Sequence, residues 1–282
     1  MSTRTFSLVN GIGETFNLTT HDTFLYAPEG LGFEEDTTYM RYGERFRPLV
    51  EEFAQGIPAG ILFFNNPDAY TKFRTFAAFT QKLPLTLLYR VDGTTYKRRV
   101  RVQRLTKTEL EPGQELRCDV EFAALSPFYR EISVISPDAG SSSGKTYDYT
   151  YDYTYQDFIP GTVVIDYDGD MPGPVQIKIS ATGLSNPRWS HYVEDELVAT
   201  GKVNGSILSG NYLLVDDFEI PYKIQQVASS TQTVVRDMYE ASDFSTERFI
   251  YLQPGMNRIS AGHDGIQNVK LTVRGFIYYA AV

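Results

Sequence analysis

The feature that most constrains the fold is a period-two alternation of apolar residues, broken by glycine and proline turns, along most of the 282 residues. Its clearest stretch, 83–91, has an apolar or aromatic residue at every second position, which places them on one face of a strand. Asp92-Gly93 follows, and this dipeptide favours a hairpin because glycine readily takes the positive φ of primed turns. Residues 95–105 and 115–125 then predict a returning strand and a third strand beside it.

One helix is predicted to interrupt these strands. Asn66 can cap its N-terminus, Pro67 suits its first position, and Asp68 complements the positive end of the helix dipole. Before Pro84, five residues recur at helical spacing and predict a face packed on the core: Tyr70, Phe73, Phe76, Ala77 and Thr80.

The rest of the chain predicts strands separated by Gly, Pro and Asn turns, as in a β-sandwich. The strand candidates are 162–167, 175–180, 211–218, 249–252 and 269–279. The length is comfortable for two domains, and the Gly/Ser-rich segment 138–144 is typical of a flexible connection. We therefore predict domains at 1–132 and 133–282, with a mainly β fold.

Charge is distributed unevenly, because residues 1–130 are neutral whereas residues 131–282 hold 10 Lys/Arg and 19 Asp/Glu. This balance argues against a nucleic-acid site or an anionic membrane as the main partner. The one basic run predicts a solvated strand or an interface with an acidic neighbour; it contains Lys97, Arg98, Arg99, Arg101, Arg104 and Lys107.

The single cysteine, Cys118, excludes an intrachain disulfide and is predicted to be buried. No signal sequence or membrane span is recognised, so a soluble protein is expected.

The sequence offers no convincing catalytic or cofactor site, so we do not expect an enzyme. His21, His191 and His263 lie far apart and outside metal-ligand spacing. Asp166, Asp168 and Asp170 alternate near a glycine as some calcium ligands do, but the later ligands of a calcium loop are missing, which favours a tight acidic turn. The Gly-x-Ser-x-Gly pattern at 140–144 lies in the serine-rich segment, where chance is the better explanation.

A ribbon of alternating tyrosines begins the second predicted domain. In an extended conformation its five rings would share one face and form a docking surface. We therefore predict interface residues at Tyr147, Tyr149, Tyr151, Tyr153 and Tyr155.

Several segments, in this order, resemble the distal tail proteins of long-tailed bacteriophages, the siphovirus tail component family. The resemblance covers nearly the whole chain and depends on order, because no single segment is specific. The segments are 28–33, 60–64, 70–73, 85–89, 105–109, 120–122, 126–129, the tyrosine ribbon, 168–170, 174–179, 186–187 and 252–257.

The resemblance implies an N-terminal β-barrel-like sandwich with one α-helix and a C-terminal galectin-like β-sandwich. It also implies a structural hub in the virion, at the tail tip or baseplate, made in the bacterial host cytoplasm. The N-terminal domains would form a hexameric ring that joins the tail tube protein to the tail-associated hub protein and, in some phages, to receptor-binding proteins. A carbohydrate-binding module for host attachment is the alternative, based on the sandwich pattern, Trp189 and the tyrosines.

Overall fold

The computed structural model describes residues 4–110, 115–137, 145–146, 154–155, 161–265 and 269–282. Strands dominate these residues, which include a single helix, so the predicted mainly β class is confirmed. The chain divides into two compact units, one of residues 1–130 with 279–282 and the other of residues 131–278. The two units are described separately below.

The first unit consists of antiparallel strands and the helix. Its elements are β1 Thr5–Val9, β2 Thr15–Asn17, β3 Thr23–Glu29, β4 Glu35–Tyr42, β5 Arg45–Phe53, β6 Ala59–Asn65, α1 Ala69–Thr80, β7 Leu85–Val91, β8 Thr94–Leu105 and β9 Glu115–Ala124. Strands pair in the orders β2-β1-β7-β8 and β3-β6-β9, and β9 also pairs with the second half of β8. β10 Phe128–Ile135 begins in this unit, where Tyr129 pairs with Lys97. The long strand β8 therefore belongs to both groups of strands.

The predicted hairpin at Asp92-Gly93 is confirmed. Both residues have positive φ, 49° and 84°, as a two-residue type I′ turn requires, and Val91 pairs with Thr94 across the turn. β9 lies beside β8, as the third apolar run predicted.

Helix α1 packs on the core, but its N-terminus differs from the sequence prediction. Asp68 is the N-cap residue, has a left-handed φ of 68°, and makes no side-chain capping bond. Phe76 and Thr80 are buried as predicted, whereas Tyr70 is exposed and donates a hydrogen bond to Glu109. The ring of Phe76 lies 5.1 Å from that of Phe16 and 5.9 Å from that of Phe64, so aromatic contacts attach the helix to the strands.

The second unit is formed by strands in two main sheets. Its elements are β11 Lys145–Thr146, β12 Thr154–Tyr155, β13 Thr162–Tyr167, β14 Gly173–Ser180, β15 Leu184–Ser185, β16 Arg188–Val193, β17 Glu196–Lys202, β18 Ser206–Ile207, β19 Asn211–Asp216, β20 Lys223–Ala228, β21 Val234–Asp237, β22 Tyr251–Leu252, β23 Gly255–Gly262 and β24 Lys270–Tyr279. One sheet has the order β24-β14-β19-β20-β21, with β22 also paired to β14, and the other has the order β13-β23-β16-β17. Alternate residues are buried along β13, β14 and β24, as the two inner faces of a sandwich require.

A buried polar pair stabilises the turn before β23. Asn257 is fully buried, and its side-chain amide donates to the carbonyls of Gln253 and Gly255 while its Oδ1 accepts from the Gln253 amide. The same Oδ1 lies 2.9 Å from Nε2 of His191, which is also buried. Burial lowers the pKa of His191, so we interpret this histidine as a neutral structural residue.

Candidate assembly surface

Strands β4 and β5 form a hairpin that we call the arm, residues 35–53. Within the described residues its strands pair only with each other, from Glu35 opposite Phe53 to Tyr42 opposite Arg45. Gly43 has a φ of 63° and opens the two-residue turn, as a primed hairpin turn requires. An isolated two-stranded hairpin is marginally stable in water, so this element is expected to gain stability from a further contact.

The arm exposes an unusual amount of apolar surface. Directly opposed residues point to the same face, so Tyr42 and Met40 lie on one face and Phe46 lies on the other. The exposed apolar residues of the arm are Tyr39, Met40, Tyr42, Phe46, Leu49, Val50 and Phe53, with Tyr42 74% accessible. Many large exposed apolar side chains on one element are typical of interaction sites, which makes the arm the principal candidate for an assembly contact.

Charge is polarised along the arm. The tip contains three arginines, Arg41, Arg45 and Arg47, with one acid, Glu44. The base contains exposed acids and no Lys or Arg; we call Glu34, Glu35, Asp36 and Glu52 the acidic base. Asp36 lies directly opposite Glu52, and like charges in this position destabilise a strand pair.

Arg98 lies next to the two segments that connect the arm to the rest of the first unit. Its Nη1 donates to the Gly30 carbonyl at 3.2 Å, its Nε donates to the Ser126 carbonyl at 3.0 Å, and its guanidinium lies 4.7 Å from the centre of the Phe128 ring. A Cβ on Gly56 would lie 2.4 Å from an Arg98 nitrogen, so only glycine fits without a shift of this side chain. Arg98 therefore contacts both chain segments that flank the arm.

The prediction that the basic run is a solvated strand is wrong for Arg98, which is only 6% exposed. Burial lowers the pKa of its guanidinium, because the charged form loses hydration. Arg101, on the same strand, is exposed as expected, and Arg104 forms an exposed ion pair with Glu121. A signal for the difference was present in the sequence, because period two places Arg98 on the same face as the buried Val100.

The predicted tyrosine interface can be followed only in part. Tyr147, Tyr149, Tyr151 and Tyr153 lie outside the described residues. The backbone of Tyr155, in β12, pairs antiparallel with Lys145 in β11. The interface role of all five tyrosines remains a prediction.

The metal candidates do not form a cluster. Asp166, Asp168 and Asp170 are all exposed. Across the described ranges, no group of three or more His, Cys, Asp or Glu side chains could hold a metal ion. His191 and His263 are buried, and His21 borders a shallow surface pocket beside Phe24 and Phe63.

Trp189 does not provide a surface for stacking on a sugar. Its side chain is 1% exposed, and its indole Nε1 donates to the Arg248 carbonyl at 2.8 Å. Of the residues that suggested a carbohydrate-binding module, only the tyrosines remain.

Asp217 is a buried acid in the second unit. Its Oδ1 accepts a hydrogen bond from the Val175 amide at 2.6 Å, whereas its Oδ2 is buried and has no hydrogen-bond partner in the described structure. Burial raises the pKa of Asp217 to about 8, so the carboxyl is protonated at neutral pH. A neutral acid in this position is less costly to bury than a carboxylate.

The family to which the first unit belongs is decided by a direct match. Residues 5–125 match the family model of the distal tail protein, N-terminal domain. Residues 5–125 are a distal tail protein N-terminal domain. The recognition of a distal tail protein from the ordered sequence motifs is thereby confirmed, and the arm and Arg98 both lie within this domain.

Solved structures extend the similarity in fold over nearly the whole chain. The Dit protein (gp 19.1) of phage SPP1, described as a paradigm of hub adsorption apparatus in Gram-positive infecting phages, is 10% identical, with a TM-score of 0.65 over 96% of this chain and 98% of that chain. A chain of the phage P2 baseplate, in its activated conformation with Ca, is 13% identical, with a TM-score of 0.60 over 99% and 100%. A chain of the same baseplate with Sr is also 13% identical, with a TM-score of 0.58 over 96% and 98%. No curated protein sequence matches the chain.

The sequence reasoning missed the arm. A detectable signal was its alternation of large apolar and charged residues on either side of Gly43.

Within the described residues, no helix is both long and apolar enough to span a membrane.

Proposed function

We propose that this protein is a non-enzymatic structural hub at the tail tip of a long-tailed phage. Copies of the first unit form a hexameric ring that joins the tail tube protein to the tail-associated hub protein, and the second unit extends the hub toward receptor-binding proteins. The protein is made in the bacterial host cytoplasm and becomes part of the virion tail. The observation that carries this proposal is the exposed apolar arm on a distal tail domain.

Ring assembly gives the arm a contact that the described residues of a single chain do not provide. Burial of apolar surface contributes roughly 25 cal/mol per Å², so a few large side chains on the arm can provide several kcal/mol on association. Each heterologous contact leaves another arm and another docking surface available, and such contacts close into a ring when the rotation between copies permits.

Replacing Tyr42 and Phe46 together with serine is expected to weaken self-association by at least about a hundredfold, because two exposed aromatic anchors on opposite faces are lost. Mass photometry and negative-stain microscopy of the purified protein measure the ring fraction. The matched control replaces Leu197 and Leu208, exposed apolar residues of the second unit, with serine. Rings of undiminished stability in the arm variant would contradict the role of the arm, and failure of the wild type to form rings even with its tail partners would contradict the proposed function.

The tyrosine ribbon gives a second, independent prediction. Replacing Tyr149, Tyr151 and Tyr153 with serine is expected to weaken ring assembly or lower the melting temperature, since each substitution removes an aromatic contact surface. Thermal unfolding and ring formation are measured on the same preparation. Unchanged rings with unchanged melting would show that these tyrosines have no assembly role.

A further inference from the structure

We propose that the arm docks on a second copy of this chain, with its basic tip against the acidic base of the neighbouring arm. This inference rests on the proposed ring and specifies the contact that closes it. The tip carries Arg41, Arg45 and Arg47, and the acidic base carries Glu34, Glu35, Asp36 and Glu52, all exposed.

The acidic base needs a cationic partner that its own arm does not provide. Asp36 and Glu52 are directly opposed in the strand register, so their carboxylates repel each other. The register places Arg47 opposite Met40 and Arg45 opposite Tyr42, so neither arginine lies opposite an acid. A guanidinium from outside the arm would relieve the repulsion at the base.

The base also has an aromatic surface suited to arginine. The rings of Phe33 and Phe53 meet edge to face, with centroids 5.7 Å apart, and both are exposed. Phe53 lies directly opposite Glu35 in the register, so aromatic and acidic side chains are adjacent. A planar guanidinium can bind a carboxylate and stack on a ring at the same time, which a lysine ammonium does less well.

A second copy of the same chain is the occupant that fits best, because it presents both complementary ends. When the tip of one arm meets the base of the next, every copy uses one tip and one base, as a closed ring requires. The first 130 residues have equal numbers of acidic and basic residues, so repeated contacts of this kind build up no net charge.

The test is a charge-reversal series on the full chain. The tip variant carries Arg45→Glu and Arg47→Glu, and the base variant carries Glu35→Lys, Asp36→Lys and Glu52→Lys. Each variant alone is expected to weaken self-association at least about tenfold at low salt, because like charges then meet at every contact. The base variant retains like charges opposite each other within its own arm, so it does not alter that internal repulsion.

Restoration gives the decisive readout. An equimolar mixture of the tip and base variants is expected to form alternating rings, since each reversed tip meets a reversed base and six positions can alternate. A single chain carrying all five substitutions is also expected to form rings. Mass photometry measures both, and circular dichroism melting verifies that each variant is folded.

The outcomes separate this contact from the proposed function. If the wild type forms rings and each single variant self-associates as strongly as the wild type, the arm contact is overturned but the proposed ring is not. Weakened single variants that neither the mixture nor the five-substitution chain restores would overturn the tip-to-base pairing. A wild type that stays monomeric, even with its tail partners, would contradict the ring and the arm contact together.

Discussion

Replacing Arg98 with methionine is expected to lower the free energy of unfolding by roughly 2–4 kcal/mol, because buried hydrogen bonds to a charged group are among the more valuable ones. The substitution leaves the carbonyls of Gly30 and Ser126 without their Arg98 donors and removes the contact with the Phe128 ring. Equilibrium urea unfolding measures the change.

Arg101→Met is the matched control, because it removes the same charge from the same strand at an exposed position. It is expected to change the free energy of unfolding by less than about 0.5 kcal/mol. Arg98→Lys retains the charge but not the fork of donors, so its stability is expected to lie between those of the wild type and Arg98→Met. Equal stabilities of the Arg98→Met and Arg101→Met variants would refute the structural role of Arg98.

Arg98 also connects stability to assembly. Its contacts with Gly30 and Gly56 hold the two segments that flank the arm, so they determine how the arm leaves the unit. We therefore expect the Arg98→Met variant to form rings less readily than Arg101→Met, even at temperatures where both are folded. Such a defect would result from a displaced arm, because Arg98 itself is buried and distant in sequence from the arm tip.

The strands that the sequence predicted are those with one buried face. The apolar alternation of 83–91 and the Asp92-Gly93 turn specify a hairpin locally, and the structure has it at that position. The limits of β13, Thr162–Tyr167, also agree with the sequence pattern. Such strands are predictable because burial of one face imposes period two directly on the residue types.

The arm could not be recognised by the same rule. Neither of its faces is buried against the described residues of the chain, so apolar and charged residues occur on both faces, and their alternation does not mark one face as buried. The N-terminus of α1 shows a second limit, because tertiary packing places Asp68 in a left-handed conformation that local capping rules do not anticipate. Period two indicates the buried face for Arg98, but it does not indicate the hydrogen-bond partners of this side chain, because Gly30 and Ser126 are distant in sequence.

Replacing Asp217 with asparagine is expected to stabilise the protein at pH 8 and above and to change its stability little near pH 4. Burial raises the pKa of Asp217 to about 8 in the folded state, whereas the ordinary value of an aspartate is 3.8. The folded state thus retains a proton that the unfolded chain has released, and the free energy of unfolding of the wild type falls as the pH rises between these two values. Above the folded-state pKa the loss of unfolding free energy is complete. It amounts to several kcal/mol, because each unit of pKa difference contributes on the order of one kcal/mol.

Asparagine keeps an oxygen that can accept from the Val175 amide and never acquires a charge, so this part of the pH dependence should disappear. The measurement is the difference in unfolding free energy between the variant and the wild type at each pH from 4 to 9, which cancels the titration of all other groups. Asp166→Asn, which makes the same change at an exposed position of the same unit, is the matched control. If the Asp217→Asn difference is flat, then Asp217 titrates normally, and the unpartnered Oδ2 must reach water in solution.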